Sequence, residues 1–257
     1  MSYFPPSLQT LRDKLASGTP VIGIWSLIPS PSLTEVIGMA GMDFQILDRE
    51  HGFYDLSALE AGIRACESAG CTPLVRMSGA NPADIQVMLD LGAQGILVPQ
   101  LTSAEAAGQF LRSLRFAPSG TRGLNPFTRA GQYGAGGMPD DTSLSGVLIE
   151  NSSLYSQMDD LLALPDLDFV YLGVYDMSLS LGVPGDTDHP YVQAFVKDAI
   201  VRARAAGKSV GVIAKTEEEI RRFVDMGANM IIYGVDTFVI RRAMAEAVGF
   251  LRASVRG

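Results

Sequence analysis

Lysine, histidine and cysteine are scarce in this chain, and each shortage removes a class of explanation. Its 257 residues include two histidines and two cysteines, and its lysines are Lys14, Lys197, Lys208 and Lys215. Cys66 and Cys71 have neither metal-motif spacing nor a disulfide framework around them, so they are expected as reduced thiols of a cytoplasmic protein. A net charge of −8 argues against nucleic acid or an anionic membrane as partner. No apolar run approaches the ~18 residues of a membrane span. The opening MSYFPPSLQTLRDKLASG lacks the charged and apolar regions of a secretory signal. No G-x-G-x-x-G turn follows the first apolar run, which speaks against an open dinucleotide-binding sheet.

Apolar content, by contrast, is ample at 47%. After a short amphipathic helix expected near residues 8–17, eight short runs follow: VIGIWS (21–26), FQILD (44–48), PLVRM (73–77), GILVP (95–99), GVLIE (146–150), FVYLGV (169–174), VGVIA (210–214) and MIIYGV (230–235). Each is β-branched and almost continuously apolar, as parallel strands buried on both faces are. Helix-patterned stretches such as 33–41, 55–70, 83–92 and 194–207 separate most of them, and many end in Gly, which suits the left-handed position after a helix. MAGMDFQILD, DLGAQGILVP and DMGANMIIYG echo one another from helix end through Gly to strand. Eight βα units without a dividing linker, in a length near the ~250 residues typical of the fold, predict an α/β protein: a single (β/α)₈ barrel over residues 1–257.

In such a barrel the C-terminal ends of the strands form the working face. The residues expected there are Trp25, Ser26, Asp48 to His51, Arg76, Gln100, Glu150, Asn151, Tyr175, Asp176, Lys215 and Asp236. One connection, residues 116–145 between strands 4 and 5, is long and rich in Gly and Pro, and it carries Arg122 and Arg129. A loop of this length in a packed domain is expected to be a lid or binding loop, with a disordered insertion as the alternative.

Three constellations carry chemistry. Asp48 and His51 lie three apart at a strand exit, where a carboxylate on one ring nitrogen would leave the other free as a general base; incidental charge at a strand end is the bland alternative. Glu150 and Asp176 end consecutive strands with no Cys or His beside them, which suits a hard cation such as Mg²⁺ or Mn²⁺; Asp176 as a helix cap is the alternative. Arg76 interrupts an apolar run and must meet an anion: a substrate oxygen, a structural salt bridge to Asp48 or Glu50 next door, or both, since the two readings are compatible. Lys215, the lysine placed at a strand exit, is a rival Schiff-base nucleophile, although the acidic helix start after it favours a solvated, charged amine. His189 lies in a polar turn and is expected at the surface, and Trp25 is expected to pack.

DREHG (48–52), PLVRM (73–77), ILVPQL (96–101), PSGTRG (118–123), LIEN (148–151) and YLGVYDMSLSLG (171–182) together resemble the HpcH/HpaI family of class II, metal-dependent pyruvate aldolases. The family includes 4-hydroxy-2-oxoheptanedioate aldolase and 2-dehydro-3-deoxyglucarate aldolase, and the likeness runs from about residue 21 to residue 240. It implies a barrel assembled as a homo-oligomer, usually a hexamer, with the last helix (about 238–255) exchanged between subunits. It further implies Glu150 and Asp176 as ligands of a divalent metal (Mg²⁺, Mn²⁺ or Co²⁺), and Arg76 on the 2-oxo group of pyruvate. His51, oriented by Asp48, would be the acid/base for the aldol hydroxyl. Backbone amides of Gly173, Val174, Tyr175 and Asp176 would receive the pyruvate carboxylate. The substrate implied is a 4-hydroxy-2-oxo acid, made from or cleaved to pyruvate and an aldehyde. The chain departs from the family pattern at Leu148, where Gln is usual, at Val174 and Tyr175, which replace smaller residues, and at Arg49. Two other functions fit the same barrel: a lyase or mutase acting on a phosphoenolpyruvate-like acid, and a catalytically silent binder of 2-oxo acids.

Overall fold

The computed structural model describes residues 7–136 and 142–255, so residues 137–141 of the long connection lie outside the described residues. The eight apolar runs form eight parallel strands: β1 (Val21–Ser26), β2 (Phe44–Asp48), β3 (Thr72–Arg76), β4 (Gly95–Val98), β5 (Leu144–Ile149), β6 (Phe169–Leu172), β7 (Ser209–Ala214) and β8 (Met230–Val235). Each pairs with the next and β8 pairs with β1, which closes the barrel. Successive side chains on a strand point to opposite faces. One set, including Phe44, Ile46, Leu74, Leu148 and Phe169, fills the lumen. The other, including Leu47, Val75, Ile96 and Val170, packs beneath the helices. The lumen is tight: a Cβ on Gly146 would lie 2.2 Å from the Phe169 ring.

The helices are α1 (Ser7–Ala16), α2 (Pro31–Met39), α3 (Leu56–Ser68), α4 (Pro82–Asp90), α5 (Ala104–Ser113), α6 (Ser152–Tyr155), α7 (Met158–Leu162), α8 (Val174–Ser180), α9 (Pro190–Ala205), α10 (Glu217–Met226) and α11 (Asp236–Ser254). α1 covers the end where strands begin. Its Leu11 and Leu15 join the lumen cluster, and its Lys14 pairs with Asp43 just ahead of β2. Several helices on the outer ring start with a capping side chain: Ser30, Asp55, Asn81, Ser103 and Thr216 each accept an N–H from the first turn. Much of the polar sequence between strand and helix is therefore spent on caps.

The long connection is placed differently from the expectation. It follows α5 and precedes β5, so it lies at the end where strands start. Arg122 pairs with Asp90, the last residue of α4, at 2.9 Å, and Arg129 pairs with Glu67 near the end of α3. The Ala130 N–H donates to the Asp90 carbonyl at 3.2 Å. The described part of the loop is thus strapped to the bottom of its own barrel and is no lid over its own strand exits. α11 is also distinctive, because Asp236 is its one buried residue. Met244, Val248, Leu251 and Val255 are all exposed along it, and Ile22 on β1 is 47% exposed where a barrel strand is normally covered. Among the described residues, no helix is long and apolar enough to cross a membrane.

Candidate active site

Asp48 ends β2 fully buried, and the parallel register sets it directly beside Arg76, the last residue of β3. Its carboxylate takes both faces of the guanidinium fork: Nε donates to Oδ1 at 2.9 Å, and Nη2 donates to Oδ2. Oδ1 also accepts the backbone N–H groups of Glu50 (2.9 Å) and His51 (3.2 Å). Asp48 therefore holds the His51 main chain, whereas the sequence suggested a carboxylate–imidazole pair. Arg76 completes its pairing at Nη1, 2.9 Å from Glu50 Oε2, and stacks 4.4 Å over the Trp25 ring. Three of its five N–H hydrogens are used in these contacts, which leaves two for a ligand. Trp25, expected to pack, does so with a purpose: it is the platform beneath Arg76, and its Nε1–H is anchored on the Tyr171 hydroxyl at 2.9 Å.

Glu50 connects this cluster to a further residue, Gln100, just beyond β4. The Gln100 side-chain amide donates to Glu50 Oε1 at 2.6 Å, and its backbone N–H donates to Glu150 Oε1, also at 2.6 Å. Holding both bonds requires a left-handed backbone at Gln100 (φ 61°), uncommon for a residue with a Cβ. One residue thus orients two carboxylates from opposite sides of the site. Its sequence signal was only its place after a strand.

Glu150, just past β5, is 5% exposed. Burial, with the charges of Asp176 and Glu50 adding to it, pushes its carboxyl up to about 7, against partial relief from the Gln100 N–H and Arg76. The close approach of β6 to this carboxylate explains Gly173, where a Cβ would lie 2.7 Å from the Glu150 Cβ. Asp176 sits inside the first turn of α8 and not at its cap: the cap is Gly173, and no side chain caps that helix. Hard oxygen donors gathered at a buried carboxylate that resists ionising alone suit a divalent cation, so the donor chemistry fits the expected metal. Among the described residues no cluster of three or more His, Cys, Asp and Glu ligands forms, so the fit rests on two carboxylates.

A cavity of about 250 Å³ opens at the strand exits, lined among others by Asp48, His51, Arg76, Leu148, Gly173 and Asp176. Val174 and Tyr175 form its wall on the α8 side. The residues expected at this face thus divide into two groups. Asp48, His51, Arg76, Gly173, Val174, Tyr175 and Asp176 line the cavity, with Glu150 held behind it. The others have structural partners: Ser26 donates to Gln45 at 3.1 Å, Asn151 caps α6, and Asp236 accepts the N–H groups of Leu27 and Ile28. Lys215 lines a neighbouring recess and not this cavity. His189 caps α9 with its Nδ1. Arg49 reaches Met88 Sδ at 3.5 Å, and its Nε has no hydrogen-bond partner.

Comparison with known proteins gives the barrel a family. The sequence profile of the HpcH/HpaI aldolase/citrate lyase family matches residues 21–243. The chain is 33% identical over 243 residues to a hydroxypyruvate/pyruvate aldolase of Pseudomonas aeruginosa, covering 93% of this chain and 91% of that one. It is 32% identical over 244 residues to a 4-hydroxy-2-oxo-heptane-1,7-dioate aldolase of Salmonella dublin, covering 92% of each. The crystal structure of an HpcH/HpaI aldolase/citrate lyase family protein from Burkholderia cenocepacia superposes with a TM-score of 0.90 at 26% identity, covering 95% of this chain and 99% of that one. With the profile spanning most of its length and its barrel shared, the chain belongs to the HpcH/HpaI aldolase/citrate lyase family.

Proposed function

We propose that this protein is a metal-dependent aldolase that cleaves or forms a 4-hydroxy-2-oxo acid, with pyruvate as the nucleophilic half and an aldehyde as the other. The observation that supports this reading is a cavity lined by a pre-positioned Arg76 and by Asp176, with the buried Glu150 carboxylate behind it and within reach of the charges of both. Glu150 and Asp176 would hold the cation (Mg²⁺, Mn²⁺ or Co²⁺). When bound, it supplies Lewis-acid polarisation of the 2-oxo acid. Arg76 turns its two remaining N–H hydrogens to the 2-oxo oxygen, where negative charge grows as the C3–C4 bond breaks. Its fork is held rigid by Asp48, Glu50 and Trp25, so little reorganisation is needed as that charge develops. His51, on the cavity wall and fixed at its main chain by Asp48, takes the proton of the 4-hydroxyl, whose oxygen becomes the aldehyde carbonyl. The N–H groups of Val174, Tyr175 and Asp176 receive the C1 carboxylate at the start of α8; the Gly173 N–H, also expected there from sequence, is spent on the Ile149 carbonyl at 3.0 Å.

Leu148 stands 2% exposed in the lumen beneath this site, where relatives of the resembled pattern carry an amide. It favours a second reading, a barrel that binds a 2-oxo acid without turning it over. Glu150→Ala and Asp176→Ala separate the two. The aldolase reading expects Mn²⁺ binding by calorimetry and aldol turnover to be lost together; unchanged turnover overturns it. Binding of pyruvate by wild type without turnover favours the second.

We also propose a homo-oligomer in which α11 crosses to a neighbouring subunit. The stripe Met244, Val248, Leu251 and Val255 and the bare Ile22 are each uncovered in the single chain, and exchange would cover both. Val248→Asp with Leu251→Asp should lower the mass seen by light scattering, and an unchanged oligomer contradicts the exchange. The buried, free thiols of Cys66 and Cys71 suit a cytoplasmic setting.

A further inference from the structure

The floor of the Arg76 cavity holds a hydroxyl whose hydrogen is not spent. Tyr171, on β6, points into the lumen beside Trp25, is 5% exposed and lines the cavity. Its oxygen accepts the Trp25 Nε1–H at 2.9 Å, and among the described residues no acceptor takes its own hydrogen. A phenol both accepts and donates, and a buried one normally finds a partner for its O–H. Burial pushes this phenol above its ordinary pKa, against lowering by the Trp25 bond and the Arg76 charge, so it stays protonated and able to donate.

The ring is held where it stands. It meets Trp25 edge to face, with centroids 5.2 Å apart and planes at 89°. On its other side β7 makes room with Gly211, the register partner of Tyr171, where a Cβ would lie 2.8 Å from Tyr171 Cδ2. The indole of Trp25 thus fixes two donors at once: the phenol at its N–H, and the Arg76 guanidinium 4.4 Å over its face. Both border the same cavity. On the β5 side the register partner of Tyr171 is Leu148, which offers no hydrogen bond. Leu148, the residue that favours a silent barrel, leaves a gap that this phenol fills with a donor from the adjacent strand.

In the aldolase reading the 2-oxo oxygen lies against Arg76 and is the atom on which negative charge grows. We propose that the Tyr171 hydroxyl donates a hydrogen bond to that C2 oxygen, joining Arg76 as a second side-chain donor for the enolate. This makes Tyr171 a further catalytic residue, and the inference rests on the aldolase reading. As the C3–C4 bond breaks, its electron pair passes through C2 to the oxygen that Tyr171 and Arg76 hold. The 4-hydroxyl proton goes to His51, and the phenol keeps its own. A donor fixed before the charge develops needs no reorganisation and gains strength as that charge grows. The N–H that Trp25 donates to the phenol oxygen polarises the O–H and makes it a better donor in turn.

Tyr171→Phe is the test, because it removes the hydroxyl and keeps the ring that packs against Trp25 and Gly211. On Mg²⁺-loaded protein it is compared with wild type in the rate of methyl hydrogen exchange of pyruvate in deuterated water, in affinity for pyruvate and in affinity for oxalate. Oxalate presents an anionic oxygen where the enolate would carry one. Trp25 is the one tryptophan of the chain, so its fluorescence reports both affinities. Exchange rate and oxalate affinity should fall together by roughly ten- to a hundredfold. Pyruvate affinity should change by less than about threefold, because a donor aimed at developing charge gives little to the neutral 2-oxo group. Tyr155→Phe, which loses a hydroxyl bonded to Asp198 on α9, should change none of the three. Exchange or oxalate affinity within about twofold of wild type would leave Tyr171 as the anchor of Trp25 alone, and an equal fall in all three would mean a floor that has lost its shape. Either result overturns the proposal and leaves the aldolase intact. No exchange by metal-loaded wild type would defeat the aldolase reading and this role with it.

Discussion

Replacing Asp48 with Asn is the sharpest single perturbation of the site's framework. The change keeps the size of the side chain but removes its charge, and it turns an NH₂ group toward a guanidinium that can only donate. Asp48 is fully buried and Arg76 nearly so, with 0% and 11% of their side chains exposed, so water cannot replace the lost acceptor. Breaking one partner of a buried pair of this kind costs about 3–5 kcal/mol. For a domain of this size, about 2–4 °C per kcal/mol converts that to a fall in Tm of roughly 6–20 °C. Glu50 alone would then hold Arg76, so the fork should swing and turnover should fall with stability. Thermal unfolding followed by circular dichroism is the assay, with Glu217→Gln as the control. That residue belongs to an ion pair with 75% and 77% of its side chains exposed, worth less than about 1 kcal/mol. A Tm for Asp48→Asn within about 2 °C of that control would refute the view that this pair is what holds Arg76 in place.

Glu150 and Gln100 give two further tests. The Glu150 carboxyl is raised from 4.5 to about 7, so its proton stabilises the folded, metal-free protein, fully below the unfolded value and progressively less as pH rises through about 7. The Tm of metal-free wild type should therefore decline relative to Glu150→Gln as pH goes from about 4.5 to 7, and added Mn²⁺ should remove the decline; parallel profiles would contradict the assignment. Gln100→Ala keeps the main-chain N–H on Glu150 but loses the amide that holds Glu50, a charge-assisted bond worth about 1.5–3 kcal/mol. Steady-state kinetics should show kcat/KM lower by roughly ten- to a hundredfold; an unchanged value would make Gln100 a bystander.

The barrel was legible because its strands are almost wholly buried on both faces, Ile22 on β1 being the main exception, so the apolar runs stand out without any periodicity. Their ends were less so: Glu150 follows β5, and Val174 opens α8 instead of closing β6. The site's composition was legible for the same reason, since Asp48, Arg76, Glu150 and Asp176 are the polar groups where apolar runs stop. Partnership was legible in part: Arg76 meets Asp48 and Glu50, as its place in an apolar run suggests, but the Asp48–His51 side-chain pair does not form, because the parallel register puts the ends of β2 and β3 side by side. A carboxylate buried beside a guanidinium takes the charge partner, and His51 is left with its backbone bond. Gln100 was missed as an organiser because its effect depends on a left-handed φ that no residue type announces. The described part of the long connection lies away from its own catalytic rim for a reason its order in the chain carries: it follows a helix and precedes a strand.

The central claim is that Arg76 and a divalent cation at this site stabilise the enolate of pyruvate, which makes its methyl hydrogens exchangeable, and it can be tested without knowing the aldehyde. The purified protein is incubated with pyruvate in deuterated water, and the methyl proton signal is followed by nuclear magnetic resonance, first as prepared, then with a chelator, then with Mn²⁺ or Mg²⁺ restored. The account predicts loss of the methyl signal that the chelator stops and the metal restores. Exchange that continues undiminished under the chelator would contradict it and return Lys215 to consideration as the catalytic group.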